Sequence, residues 1–169
     1  IAMRRKRTAY FLLSGILLAH FLSVVPLAEA SASLTAPSFV VMDPVSEEII
    51  FSKAPHRKQP PASTAKIVTA LVVLDQLSLD HWVTVSPQVE SVEASKLYLD
   101  GGDRLRVRDL LKALLMNSAN DAASALAIEV TGSERAFGEL MTQKARSFGA
   151  RNTRFVNASG LPSEGQYST

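Results

Sequence analysis

The sequence predicts a mixed α+β domain in which a small N-terminal hairpin of antiparallel strands precedes a cluster of helices. Two short apolar runs flank an Asp-Pro turn, and several later segments carry apolar residues at helical spacing. Strands and helices do not alternate in the way that builds a parallel sheet. A chain of 169 residues is long enough for one domain with a sizeable core.

The hairpin is predicted from the first apolar runs after residue 30. Residues 38–42 are a strand, residues 43–46 a turn because Asp and Pro favour that role, and residues 47–51 the return strand. Residues 53–61 are polar and rich in proline, which argues against regular structure there. The hairpin therefore leads into a loop.

Four later segments have the apolar spacing of helices. They span residues 63–76, 107–116, 121–130 and 134–148. Shorter features are a strand at 83–85, a turn at 100–103, and a loop-like segment from 150 to 169 with a short strand at Phe155-Val156. The predicted domain is thus mainly helical beyond the hairpin.

The first thirty residues have the layout of a secretory signal peptide. Arg4–Arg7 form a positive head, residues 9–27 are mostly apolar, and Ala28-Glu29-Ala30 is a small-x-small cleavage pattern. Met3 is the expected start. A transmembrane anchor is the alternative, because the apolar run approaches the length that spans a bilayer. In either case residues 31–169 leave the cytoplasm.

Charge and residue usage exclude several classes of function. Beyond residue 30 the chain has 14 basic and 15 acidic residues, so we expect no nucleic-acid partner. There is no cysteine, which excludes disulfides, thiolate nucleophiles and cysteine-type zinc sites. The three histidines are scattered, at positions 20, 56 and 81. We therefore expect neither a metal nor a cofactor.

A Ser-x-x-Lys pair lies where the proline-rich loop meets the first predicted helix. Ser63 and Lys66 are three residues apart and share a helix face. The positive helix N-terminus suits a developing anion and disfavours protonated lysine. A lysine with a lowered pKa is a workable general base for a serine nucleophile. The alternative is a capping serine followed by a surface lysine.

A second polar motif, Ser118-Ala119-Asn120, interrupts two apolar helices. The amide of Asn120 offers both a donor and an acceptor, which suits it to hold a substrate amide. The hydroxyl of Ser118 suits proton transfer between a lysine and a leaving nitrogen. The alternative is that both side chains cap the helix that begins at Asp121.

These motifs together resemble the D-alanyl-D-alanine carboxypeptidases, which are low-molecular-mass penicillin-binding proteins. Residues 60–66 resemble their Pro-Ala-Ser-x-x-Lys nucleophile motif, and residues 118–123 resemble their Ser-x-Asn motif with its downstream residues. The resemblance covers roughly residues 36 to 169. Further matches are Leu110-Leu111, Phe137, Met141, Lys144-Ala145, residues 152–162 and Tyr167-Ser168-Thr169.

The resemblance implies a penicillin-binding/β-lactamase-like fold of the DD-peptidase/transpeptidase type, and a role for each site residue. Ser63 would form an acyl-enzyme with the penultimate D-alanine of a peptidoglycan stem peptide, and Lys66 would deprotonate it. Ser118 would relay a proton to the leaving amine, and Asn120 would hold the substrate backbone. β-Lactams would acylate Ser63. The enzyme would work in the periplasm or on the outer face of the cytoplasmic membrane.

The family's third motif, Lys-Thr-Gly, lies on a strand lining the site, binds the substrate carboxylate and supplies part of the oxyanion hole. No lysine or histidine of this sequence is followed by Thr-Gly or Ser-Gly. We therefore expect residues 31–169 to be the N-terminal part of the catalytic domain, truncated after Thr169, inactive and poorly stable. Membrane association would come only from an uncleaved signal or a missing C-terminal anchor.

Two other functions remain as alternatives. A class A β-lactamase would need a glutamate in a Glu-x-x-x-Asn setting, but no asparagine stands at that spacing after Glu164. A degenerate exported protein would only bind wall peptides without catalysis. Fast penicillin turnover would indicate the first alternative, and a true stop codon after Thr169 the second.

Overall fold

A computed structural model describes residues 34–93 and 95–169. The predicted signal peptide, residues 1–30, lies outside the described residues. All the elements below belong to residues 37–169, which form one structural unit. Their order is a hairpin, a helix, a two-stranded ribbon and three further helices. This agrees with the predicted α+β organisation.

The hairpin consists of β1 (Phe39–Met42) and β2 (Ile49–Lys53), which pair antiparallel. Asp43 shapes the turn, because its Oδ1 accepts the backbone amide of Ser46 at 2.7 Å. The return strand begins two residues later than predicted. Glu47 has a φ of 59°, so the chain is still turning at that point.

The apolar side chains of the hairpin are exposed on both of its faces. Each is between 46% and 66% exposed: Val40, Val41, Met42, Ile49, Ile50 and Phe51. Within the described residues the sheet has only these two strands, as expected. Two-stranded ribbons are marginally stable by themselves, so the hairpin adds little to the stability of this unit.

Four α-helices carry the core of the described residues. They are α1 (Ala65–Gln76), α2 (Val107–Met116), α3 (Asn120–Thr131) and α4 (Glu134–Ser147). Their bounds agree with the predicted ones to within two residues. No helix in the described part of the chain is long and apolar enough to span a bilayer.

Helix α3 lies at the centre and contacts the other three helices. Its first eight residues are all buried, which is typical of a helix surrounded by protein. Alanines at 122, 123, 125 and 127 let the neighbouring helices approach closely. The largest fully buried side chains are Leu126 of α3 itself and, on the neighbouring helices, Phe137, Leu110, Leu114 and Met141. This packing fixes the start of α3 beside the start of α1.

The ribbon pairs β3 (Trp82–Thr84) with β4 (Arg104–Arg106). The first strand was predicted one residue later, and the second was not predicted. The sequence Arg-Leu-Arg resembles a polar loop, because only one of its three residues is apolar. Across the ribbon, the guanidinium groups of Arg104 and Arg106 lie 5.4 Å and 4.9 Å from the Trp82 ring centroid. Cross-strand packing of this kind stabilises β4, and it cannot be predicted from the residues of β4 alone.

The closing segment, residues 150–169, is irregular, as predicted. The strand predicted at Phe155-Val156 is wrong, because both backbone amides donate to side chains. Phe155 donates to Thr142 Oγ1 and Val156 to Gln166 Oε1, each at 2.9 Å. Isolated bridges instead join Gln59 to Ser168 and Arg154 to Tyr167.

Candidate active site

Three polar side chains meet at one hydroxyl. The Oγ of Ser63 accepts hydrogen bonds from Lys66 Nζ at 3.2 Å and from Ser118 Oγ at 2.9 Å. Ser63 and Ser118 are 55 residues apart in the chain. The structure thus brings together three residues that were singled out from two separate motifs.

Ser63 lies in a single 3₁₀ turn, Ala62–Thr64, that leads directly into α1. The N-cap of α1 is Thr64, whose hydroxyl donates to the carbonyl of Pro61. The alternative that Ser63 is a capping residue is therefore wrong. Its side chain is instead exposed towards solvent and bonded to Lys66 and Ser118.

Lys66 is a buried lysine in the first turn of α1, with only 3% of its surface exposed. Its Nζ donates to the backbone carbonyl of Ser159 at 2.9 Å as well as to Ser63. None of the ion pairs in the described part of the chain includes it. Burial lowers the pKa of Lys66, because desolvation penalises the ammonium form. The surface-lysine alternative is therefore wrong.

Ser118 occupies the turn between α2 and α3 in a left-handed conformation, with φ at 54°. This conformation costs free energy for a residue other than glycine, and it directs the hydroxyl to Ser63. The N-cap of α3 is Ala119. The capping alternative for Ser118 and Asn120 is therefore wrong, because neither side chain caps the helix.

Asn120 is the first residue of α3, and it is 4% exposed. Its Nδ2 donates to the carbonyl of Glu93 at 3.1 Å, and its backbone amide donates to the carbonyl of Ser95 at 2.8 Å. Asn120 thus ties Glu93 and Ser95 to the wall of the site. A substrate contact by Asn120 remains a prediction.

A cavity of about 200 Å³ opens beside Ser63. It is lined by Ala62, Ser63, Ser95, Ser118, Asn120 and residues 159–162. A larger cavity of about 620 Å³ lies between α4 and the closing segment, but it contains none of the predicted site residues. The smaller cavity is the candidate active site because a nucleophile and a buried amine meet there. Within the described residues, no group of three or more His, Asp or Glu side chains could hold a metal.

Residues 159–162 line the same cavity as Ser118, and the sequence matched them to the family without indicating a role. Gly160 has a φ of 83°, and a Cβ at this position would lie 1.8 Å from the carbonyl oxygen of Ala62. Only glycine fits this close approach. The carbonyl of Ser159, which accepts from Lys66, was also missed, since a backbone group carries no sequence signal.

The contacts of Asp121 were not predicted either, although the sequence placed this residue at a helix start and in the second family motif. It is fully buried, and its Oδ2 accepts the amides of Leu97 at 2.8 Å and Leu99 at 3.2 Å. The intervening Tyr98 has a φ of 62°. The carboxylate of Asp121 thus fastens the strained segment 97–99 to α3, beside the segment that Asn120 holds.

Comparisons with known proteins agree with the resemblance read from the motifs. Residues 26–169 match the model of the D-alanyl-D-alanine carboxypeptidase family. Over 139 residues the chain is 32% identical to the D-alanyl-D-alanine carboxypeptidase DacF of Bacillus subtilis, covering 79% of the chain and 36% of that protein. It is 34% identical to the D-alanyl-D-alanine endopeptidase of Escherichia coli, covering 94% of the chain and 54% of that protein.

The fold agrees as well. The crystal structure of the D-alanyl-D-alanine carboxypeptidase DacD from Francisella tularensis superposes with a TM-score of 0.76 at 36% identity. That superposition covers 83% of this chain and 35% of the other. The chain therefore spans between about a third and about half of the length of these proteins. With its motifs, its site and its fold in agreement, the chain belongs to the D-alanyl-D-alanine carboxypeptidase family.

Proposed function

We propose that this chain carries the nucleophile and the proton-transfer groups of an exported serine-type D-Ala-D-Ala carboxypeptidase. The enzyme removes the terminal D-alanine from peptidoglycan stem peptides in the periplasm or on the outer face of the membrane. The observation that carries the proposal is the convergence of Lys66 and Ser118 on the hydroxyl of Ser63. A buried amine beside an exposed serine hydroxyl is the arrangement of an activated nucleophile.

In the acylation step, Ser63 Oγ attacks the carbonyl carbon of the penultimate D-alanine. Its proton passes to Lys66 Nζ, whose neutral form is favoured because burial lowers its pKa. The C–N bond of the tetrahedral intermediate then breaks. The leaving nitrogen takes a proton from Lys66 through Ser118, whose Oγ lies 2.9 Å from Ser63 Oγ. Free D-alanine departs, and an ester remains on Ser63.

Water completes the reaction by attacking the ester carbonyl. Lys66 takes a proton from this water, and the Ser63 oxygen recovers a proton as the C–O bond breaks. Asn120 lies on the cavity wall, where a side-chain amide can align the substrate backbone. A β-lactam places its strained amide at the same point, so it acylates Ser63 by the first step alone.

Acylation of Ser63 is the step of the proposed reaction that can best be tested with this chain. The sequence contains no Lys-Thr-Gly to bind a substrate carboxylate, so we do not expect turnover of a D-Ala-D-Ala peptide. The experiment incubates residues 31–169 with a large excess of a fluorescent penicillin and follows the intact mass. Because the chain is expected to be inactive in turnover, we expect only a slow, single adduct that peptide mapping assigns to Ser63; robust labelling that is lost in Ser63→Ala would contradict the expected inactivity.

Two variants serve as controls for this experiment. Ser63→Ala should form no adduct, while Ser78→Ala removes an exposed serine after α1 and should react like the wild type. An adduct that persists in Ser63→Ala would contradict the proposal. Absence of any adduct, together with binding of a D-Ala-D-Ala peptide, would support a non-catalytic wall-peptide-binding protein. Rapid release of hydrolysed penicillin would support a β-lactamase.

An endopeptidase is a second candidate within the same chemistry. The E. coli D-alanyl-D-alanine endopeptidase matches 94% of this chain at 34% identity. Cleavage of an internal bond after D-alanine uses the same acyl-enzyme on Ser63 and differs only in the leaving amine. Competition between peptides with terminal and cross-linked D-alanine for penicillin labelling would separate the two specificities.

A further inference from the structure

The bond between Lys66 Nζ and the carbonyl of Ser159 depends on a tight loop, residues 157–161. A neutral amine has two hydrogens and one lone pair. When one hydrogen is held by Ser159 at 2.9 Å, rotation of the amine is restricted. In the structure Nζ also donates to Ser63 Oγ at 3.2 Å, and a turn of the amine about its bond to Ser159 brings the lone pair to that hydroxyl for proton transfer. The direction of the lone pair therefore depends on where the loop holds that carbonyl.

Asn157 makes the hydrogen bonds that shape this loop from within. Its Oδ1 accepts the backbone amide of Gly160 at 2.8 Å and the hydroxyl of Ser159 at 3.3 Å. Its Nδ2 donates to the carbonyl of Leu161 at 2.9 Å. The Asn157 side chain thus bonds three consecutive residues, and the first of them, Ser159, carries the carbonyl that accepts from Lys66.

Other side chains hold the flanks of the loop. Gln166 accepts the amide of Asn157 at 3.2 Å and donates to the carbonyl of Leu161 at 2.8 Å. Glu134 accepts the amide of Ala158 at 2.8 Å, and Thr69 donates to the carbonyl of Ala158 at 2.7 Å. These contacts fasten the loop to α1 and α4. They do not include the amide of Gly160 or the hydroxyl of Ser159, which Asn157 bonds.

We infer that Asn157 is a positioning residue for Lys66: it fixes the Ser159 carbonyl so that the lysine amine is held facing Ser63. The inference rests on the proposed role of Lys66 as the base. Asn157 itself is half-buried and does not line the cavity. Asn157 therefore acts on catalysis through the loop. Without its side chain, water should reach Lys66, and the lysine should adopt other rotamers.

The test uses Asn157→Ala in residues 31–169, with two readouts. The first is the titration of Lys66 by NMR of protein labelled with [ε-¹³C]lysine, in which Lys66→Arg assigns the signal. We expect the Lys66 titration to move up towards the ordinary lysine pKa, because a loosened loop admits water. The second is the rate constant of penicillin acylation, which should fall by about 10-fold to about 100-fold, as misplaced catalytic groups typically cause.

Two further variants make the test decisive. Asn152→Ala removes an exposed asparagine of the same closing segment and should change neither readout. Asn157→Ser keeps a hydroxyl that can accept a weak hydrogen bond from a backbone amide, so both readouts should change in the same direction but by less. This variant provides the test if Asn157→Ala does not fold. An unchanged Lys66 titration in folded Asn157→Ser or Asn157→Ala would overturn the inference.

The two readouts also separate this inference from the proposed function. If the wild type forms no adduct with penicillin, the proposed function fails for this chain, but the NMR titration still reports whether Asn157 controls Lys66. If the wild type reacts and Asn157→Ala reacts equally fast with the same Lys66 titration, the proposed function stands and the positioning role is wrong.

Discussion

The hydroxyl oxygens of Ser63 and Ser118 lie 2.9 Å apart. This approach needs left-handed backbone at two non-glycine positions, with φ at 47° for Ala62 and 54° for Ser118. Such conformations cost about 1–3 kcal/mol each and persist where the surrounding structure over-determines them. The packed starts of α1 and α3 supply that constraint, so the core sets the distance between the two hydroxyls.

The first prediction concerns Ser118. Ser118→Ala removes the hydroxyl that can pass a proton to the leaving nitrogen. Positioned acid–base groups contribute factors of about 10² to 10⁴, so penicillin acylation should slow by at least about 100-fold. The rate is measured by stopping the reaction at successive times and determining the adduct fraction by intact-mass spectrometry, with Ser78→Ala as the matched control. An unchanged rate would exclude Ser118 from proton transfer.

The second prediction is the pH dependence of acylation. Burial lowers the pKa of Lys66, and the neutral amine is the reactive form. As pH rises through this lowered pKa, the neutral fraction of Lys66 grows, so the acylation rate should rise. The rate should level off at a pH below the one at which an ordinary lysine loses its proton. The measurement is the adduct-formation rate across the neutral and alkaline range. Lys66→Ala should abolish the rise of the acylation rate with pH. The same pH profile in Lys66→Ala and the wild type would contradict the assignment of Lys66 as the base.

The third prediction compares two glycines that share a backbone conformation. Gly160 and Gly132 have φ values of 83° and 79°, but a Cβ at Gly160 would meet the carbonyl of Ala62, whereas one at Gly132 meets nothing within 4 Å. Each alanine variant loses about 1–2 kcal/mol from the left-handed backbone. Gly160→Ala should lose at least about 1–3 kcal/mol more through overpacking. Urea denaturation measures both, and equal losses would argue against the close approach.

The fourth prediction concerns the buried carboxylate of Asp121. Asp121→Ala leaves the amides of Leu97 and Leu99 without their acceptor. The Leu99 amide is buried, and an unsatisfied buried group costs about 1–3 kcal/mol, so the free energy of unfolding should fall by about 1–3 kcal/mol. Hydrogen exchange should also accelerate at these two amides. Asp109→Ala, in the exposed first turn of α2, should lose no more than about 1 kcal/mol. Unaltered exchange at both amides would contradict the assigned contact.

The fifth prediction concerns the hairpin. Its strands expose apolar side chains on both faces, and unpaired strand edges of this kind associate. We expect the chain to self-associate as concentration rises in sedimentation velocity experiments. Ile50→Lys, within β2, should suppress this association, whereas Val45→Lys, at the 92% exposed turn, should not. A wild type that remains monomeric at high concentration would refute the prediction.

Much of the local structure could be predicted because it depends on near neighbours. Helix α2 begins and ends at the predicted residues, since its apolar spacing and its polar neighbours are all local. The pairing of Ser63 with Lys66 follows for the same reason, because residues three apart share a helix face. The family motifs likewise lie in short runs of sequence. In these respects the amino-acid sequence by itself determined the fold class and the nucleophile–amine pair.

The remaining features depend on groups that are distant in the chain. Strand β4 exists because β3 pairs with it, and Phe155 is not in a strand because Thr142 takes its amide. The bond of Lys66 to the Ser159 carbonyl spans 93 residues and uses a backbone atom that every residue has. No local pattern encodes such contacts, because they arise only when the helices pack. The motifs placed Ser118 in the site, but the tertiary structure alone decided its distance from Ser63 and the contact of the loop 157–161 with Lys66.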